Sequence, residues 1–250
     1  MVYLIATHRI SSRDVTLKYV VNGITKTSII NIYWFFIPLF CIYLSIPLLA
    51  SVSKEKKQYV YLYMVVLCFI CNICIPFFVN VFNLEFEFPI FISVGSGYII
   101  YLLIGYLLSK NDLSLGIRCV IYVLSVLGLL VHIIGTYKAS INAGYIINTY
   151  KGYNNLPCVI YSVGVFVFIK NISEKITSDL FWKVINYLSK YTFCVYLMQW
   201  FIMDFIRNNI SFINIYSMWY RLGAPVFIYA VCMVLTIIMR RIPIIRNIVP

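Results

Sequence analysis

Long apolar runs separated by short polar stretches dominate the sequence. An α-helix needs about 20 apolar residues to cross the roughly 30 Å hydrocarbon core of a membrane. Seven runs of suitable length are present, at residues 29–52, 59–82, 91–109, 119–136, 156–172, 190–209 and 222–239. The pattern therefore predicts an all-α, polytopic helical membrane protein with about seven transmembrane helices in one membrane domain.

The segments outside these runs complete the predicted organisation. Residues 1–28 form a short apolar stub followed by a polar leader, and residues 240–250 form a basic tail. Residues 173–188 place apolar side chains at helical spacing, with lysines among them. This spacing predicts a short amphipathic helix lying on the membrane surface, with a plain connecting loop as the alternative.

The composition supports a membrane protein. Hydrophobic residues make up 62% of the chain and charged residues 11%, whereas about a quarter of the residues in soluble domains are charged. The formal charge is +12, but the basic residues lie between apolar runs, as expected for contacts with lipid headgroups. Membrane lipid is therefore an expected partner, and nucleic acid is not.

The basic residues also predict an orientation, because they concentrate in cytoplasmic loops. With seven spans, twelve basic residues lie on one side of the membrane and eight on the other. The twelve are Lys54, Lys56, Lys57, Lys110, Arg118, Lys170, Lys175, Lys183, Lys190, Arg240, Arg241 and Arg246. This richer side includes the tail, so we expect a multi-pass protein of the cell inner membrane with a cytoplasmic C-terminus.

The N-terminal segment conflicts with this orientation. Residues 8–28 contain four basic residues and one acidic residue, and they would have to cross the membrane with no helix ahead of them. The stub, residues 1–7, resembles the end of a helix. We therefore expect one or more helices to precede this chain.

Polar side chains inside apolar runs are candidates for function, because lipid offers them no hydrogen-bond partner. Tyr196, Gln199 and Arg207 share one face of the sixth run, which also contains Asp204. In one interpretation these residues line a substrate cavity. In the other, Tyr196 and Gln199 make ordinary hydrogen bonds between helices, and Asp204 forms a local ion pair with Arg207.

Histidine and cysteine residues predict neither a catalytic site nor a metal site. His8 lies in the polar leader, and His132 lies near one end of its run, where an interfacial position is expected. Cys68, Cys71 and Cys74 are evenly spaced, but they fall inside a predicted helix and not in a loop that could wrap around a metal.

Four stretches of the chain are similar, in order and spacing, to motifs of the acyltransferase-3 family. They are YWFFIPLFCIYLSIPLL (33–49), YLLIGYLLSK (101–110), LPCVIYSVGVFVFIKN (156–171) and LSKYTFCVYLMQ (188–199). Arg240–Pro243 resembles the basic step that closes the family pattern. Members are bacterial multi-span enzymes that acylate sugars of surface polysaccharides, lipopolysaccharide and peptidoglycan.

The resemblance implies a membrane-bound acyltransferase. The expected reaction is O-acetyl transfer to a sugar of a cell-surface polysaccharide, with acetyl-CoA as the acyl donor and no bound cofactor. A surface glycan or a lipid-linked sugar is the expected acceptor. Trp34 falls on a family motif and joins Tyr196, Gln199, Asp204 and Arg207 as the expected substrate-binding residues.

The sequence also departs from the family pattern. The family's catalytic His and Arg, in its first helix, have no counterpart here, nor has its Arg-rich motif, so the catalytic residue is unassigned. Gln199 stands where many relatives have His, and an amide cannot exchange a proton near neutral pH. A polysaccharide export or assembly protein, or a non-catalytic remnant, are therefore the alternative functions.

Overall fold

The computed structural model describes residues 16, 22–23, 31–85, 90–92, 97–209 and 217–242. The polar leader lies almost wholly outside the described residues, as does the tail from residue 243 onward. Helix packing divides the chain into two compact units. One consists of residues 36–176, and the other of residues 1–35 together with 177–250.

The described part of the unit of residues 36–176 contains six α-helices and one π-helical segment. Its α-helices are α1 (Phe36–Ala50), α2 (Lys57–Cys68), α3 (Ile75–Phe82), α4 (Ile99–Lys110), α5 (Leu115–Ala143) and α6 (Leu156–Ser173). A π-helical segment, Phe69–Cys74, joins α2 to α3 in one helical run. Asn72 in this segment binds the backbone of Ile92 through both atoms of its amide, at 2.7 and 2.9 Å.

The other unit packs two long helices against each other. It contains a 3₁₀ turn (Asn31–Phe35), α7 (Asp179–Ser189), α8 (Thr192–Asn209) and α9 (Met218–Met239). Tyr191, Val195, Ile206, Ile228 and Cys232 form its buried core. Because lipid is as apolar as these side chains, close packing and not the hydrophobic effect holds such helices together.

The structure confirms an all-α polytopic membrane protein. Five helical runs in the described residues are long and apolar enough to cross a membrane, and they match the first, second, fourth, fifth and seventh predicted runs. The third predicted run corresponds to α4, an apolar helix of 12 residues. The sixth corresponds to α8, which has 18 residues but is less apolar because Gln199, Asp204 and Arg207 fall within it.

Capping residues explain why some helix ends differ from the predicted runs. α5 extends the fourth run at both ends, because Ser114 caps its first turn and Gly144, with φ of 74°, ends it. The predicted amphipathic helix begins only at Asp179, where the Ser178 hydroxyl accepts a hydrogen bond from the Phe181 N–H. The position of α7 on the membrane surface stays a prediction.

Lys170, near the end of α6, binds the backbone carbonyl groups at the end of α4. Its Nζ donates to the carbonyl oxygens of Leu108 and Asn111, each at 3.1 Å, and lies 3.4 Å from Asp112 Oδ1. The last carbonyl groups of a helix have no partner within the helix, and a cation both binds them and offsets the helix dipole. This lysine therefore ties α4 to α6.

Small residues bring α5 and α6 close together. A Cβ atom added to Gly164 would collide with the side chain of Ser125, and one added to Gly128 would lie 3.1 Å from the Pro157 carbonyl oxygen. The Ser125 hydroxyl donates to the carbonyl oxygen of Tyr161 at 3.2 Å. Close backbone approach and hydrogen bonds between helices are the main sources of helix association in membranes.

Two glycine variants test this contact. We expect Gly164→Ala to lower the free energy of unfolding by about 1–3 kcal/mol, the usual range for overpacking. Gly105→Ala is the matched control, because a Cβ atom added to Gly105 in α4 meets no atom within 4 Å. Unfolding of both variants in mixed micelles with increasing denaturing detergent measures the difference, and equal unfolding midpoints would contradict the close contact.

Candidate substrate-binding site

Two tyrosine hydroxyls join the 3₁₀ turn to α8. Tyr33 Oη donates to the carbonyl oxygen of Leu197 at 2.5 Å, and Tyr196 Oη donates to the carbonyl oxygen of Ile32 at 2.6 Å. The two rings lie 6.1 Å apart, between centroids. The reciprocal bonds fix the position of the turn along α8.

The carbonyl groups can accept these bonds without breaking the helix. A carbonyl oxygen has two lone pairs, so that of Leu197 can accept a bond within α8 and a second one from Tyr33. A hydroxyl in hydrocarbon that lacks a partner costs several kcal/mol. The two bonds therefore have a structural role, whatever else the tyrosines do.

Trp34 joins Tyr196 in one aromatic cluster. Its ring packs edge-on against Phe35, with 5.9 Å between centroids, and Phe35 packs edge-on against Tyr196 at 6.3 Å. Trp34 is 36% exposed, so its indole remains accessible at the edge of the cluster. The structure thus brings together two of the residues expected to bind substrate.

The other three predicted residues lie farther along α8. Gln199 is half-buried, one helical turn beyond Tyr196, and its side chain makes no hydrogen bond within the described part of the chain. Asp204 is half-buried and Arg207 is exposed. At about 1.5 Å per residue, these two lie roughly 12 and 17 Å from Tyr196 along the helix axis. The structure therefore does not place them in the aromatic cluster, and their ion pair stays a prediction.

The cluster and Gln199 carry groups suited to contact with a polar molecule. The Gln199 amide offers two donors and an acceptor, and the Trp34 indole offers an apolar face. Neither group exchanges a proton near neutral pH. These two side chains are therefore suited to positioning a molecule and not to proton transfer.

A polar loop between α5 and α6 is a feature that the sequence reasoning missed. Residues 144–155 contain three tyrosines, three asparagines and Lys151, but no acidic residue. This composition, unusual between two apolar spans, was the available signal, because tyrosine and asparagine are typical of adaptable binding surfaces. The loop borders an open groove of about 500 Å³ whose lining includes Thr136, Ser140 and Lys151.

Two buried polar atoms lie on α5 near this groove. Thr136 Oγ1 and His132 Nδ1 have no hydrogen-bond partner among the described residues. His132 lies about three turns before the end of α5, farther from the end than predicted, because the helix continues to Ala143. Its ring packs edge-on against Tyr161, 5.5 Å between centroids.

The reciprocal tyrosine bonds can be tested by removing one hydroxyl at a time. We expect Tyr33→Phe and Tyr196→Phe each to lower the free energy of unfolding by about 0.5–2 kcal/mol. The double variant should lose less than the sum, because both bonds fix the same contact. Tyr43→Phe is the control, since this exposed tyrosine makes no hydrogen bond through its hydroxyl to a described residue; equal effects of all three substitutions would reject the assignment.

The model of the acyltransferase-3 family, described as an acyltransferase domain, matches residues 1–240. No curated protein and no solved structure matches the chain. The matched range includes Trp34 and the whole of α8.

Proposed function

Because this chain belongs to the acyltransferase-3 family, we propose that it transfers an acetyl group from acetyl-CoA to a sugar hydroxyl of a cell-surface polysaccharide. The family match over residues 1–240 is the observation that carries the proposal. The five apolar helical runs support a membrane-bound acyltransferase. A location in the cell inner membrane would give the protein access to a cytoplasmic donor and an acceptor on the other side.

The reaction sets out what the protein must supply. The hydroxyl oxygen attacks the thioester carbonyl carbon, a C–O bond forms, the C–S bond breaks, and the hydroxyl proton passes through a base to the thiolate. A base and a partner for the carbonyl oxygen both lower the barrier. We assign no residue as the base.

Residues of the 3₁₀ turn and α8 take the positioning roles in this proposal. Trp34 and Gln199 contact the substrate, and Tyr196 holds α8 against the turn that carries Trp34. Asp204 and Arg207 lie toward the end of the helix, where they would bind a more distant part of the same substrate. The free amide of Gln199 supports this division, because it has hydrogen-bonding capacity that no described residue uses.

Acetyl transfer can be measured directly in membranes that contain the protein. With labelled acetyl-CoA and host polysaccharide, we expect label in an ester that mild alkali releases. Gln199→Leu should reduce transfer at least tenfold, about the effect of losing a hydrogen bond worth 1.4 kcal/mol. Met203→Leu, one turn farther on the same face, is the matched control and should retain activity.

Two results would reject the proposal. A folded protein that transfers no label would be non-catalytic. If loss of the protein abolished surface polysaccharide without changing acetylation per sugar, export or assembly would be the function.

The proposed orientation places the C-terminus in the cytoplasm, so that Lys183 of α7 lies inside and Lys151 lies outside. In a background with Cys41 and Cys119 replaced by serine, an impermeant maleimide should label Lys151→Cys in intact cells. It should label Lys183→Cys only after permeabilisation. The reverse pattern would invert the orientation.

A further inference from the structure

The groove beside residues 144–155 lies where α5 extends beyond the hydrocarbon core. The 29 residues of α5 span about 43 Å, whereas the core is roughly 30 Å thick. The first turns of α5 are held by Arg118, whose Nη1 donates to Asn171 Oδ1 at 2.7 Å. Because α5 is longer than the core is thick, we place its last turns, which line the groove, at the level of lipid headgroups and water.

The loop that forms one side of the groove is held in place at several points. The Asn155 side chain donates to the carbonyl oxygens of Asn148 and Thr149, at 2.9 and 2.6 Å. The Tyr150 ring fills the space beside Gly135, where a Cβ atom would lie 2.6 Å from it. A loop ordered before binding loses little entropy on binding, so this surface is preorganised for a ligand.

The groove lining carries one charged side chain among the residues that border it, that of Lys151. The sequence contains no acidic residue between positions 113 and 173. Lys151 is exposed and makes no ion pair within the described part of the chain. A group with negatively charged oxygen atoms is the complementary ligand.

The uncharged part of the lining is mostly apolar and includes two exposed aromatic rings. Tyr137 and Tyr145, 66% and 69% exposed, offer ring faces for the C–H surface of a sugar ring.

From these features we propose that the groove binds an anionic saccharide, with the carboxylate or phosphate group of the sugar at Lys151. The inference rests on the proposed function, since it describes where the acceptor docks on the outer side. It adds a chemical class to the acceptor, namely a sugar residue that carries a negative charge. Tyr145 would stack on the same sugar.

Binding can be tested without any acyl donor. In nanodiscs of phosphatidylcholine, saturation-transfer NMR would compare glucuronate and glucose 1-phosphate with neutral glucose. We expect the anionic probes to bind about tenfold more tightly than glucose. Lys151→Gln should remove this preference and Tyr145→Ala should weaken all three probes. Lys138→Gln, an exposed lysine outside the lining, is the matched control and should leave binding unchanged.

Two results would overturn the proposal. Equal binding of the anionic probes and glucose would overturn the proposal. Unchanged binding in Lys151→Gln would overturn it too.

A lipid headgroup is the competing occupant. If phosphatidylglycerol in the nanodiscs displaced glucuronate from the wild-type groove completely, the groove would be a lipid site and the proposal would be wrong. The two proposals fail separately. Transfer without anion-selective binding would reject only the groove, and selective binding without transfer would reject only the acyltransferase function.

Discussion

The need to satisfy backbone and side-chain polar groups where helices pack together is the constraint on which this structure depends. The hydroxyls of Tyr33 and Tyr196 donate hydrogen bonds to backbone carbonyl oxygens. The Lys170 ammonium group donates to carbonyl oxygens at the end of α4. Each arrangement pairs a side chain with a backbone group that already belongs to a helix. Helix contacts in both units are therefore specified by a few polar residues, while the apolar surface sets only the number and length of the spans.

This difference between the apolar surface, which sets the spans, and the polar residues, which set the helix contacts, explains how much of the fold could be predicted from the sequence. Apolar runs predicted the helices because the membrane demands a minimum length of apolar residues. The ends of α5 and α7 could not be predicted from those runs, because Ser114, Gly144 and Ser178 determine them through capping. Hydropathy also made α8 resemble an ordinary span, although it is the least apolar of the long helices because it carries the polar residues.

The candidate site was harder to predict than the fold. A shared helix face groups Tyr196 with Gln199, but helical spacing gives no distance to another helix. The aromatic contact of Trp34 with Tyr196 through Phe35 depends on the turn at residues 31–35, and no local pattern specifies that contact. The groove was missed because its lining comes from the end of α5 and from a loop, and polar loops between spans are usually treated as connections.

Lys170 and Lys151 are the same residue type, but their surroundings differ in whether the lysine charge is compensated. Lys170 Nζ is surrounded by two carbonyl oxygens and lies within 4 Å of Asp112 and Glu174, so its charge is already compensated. Lys151 makes no ion pair to a described residue and lies beside exposed aromatic rings. A compensated cation stabilises the protein, whereas an uncompensated one beside a preorganised groove favours a charged ligand. The same reasoning separates Tyr196, whose hydroxyl donates to the Ile32 carbonyl oxygen, from Gln199, whose amide makes no hydrogen bond to a described residue.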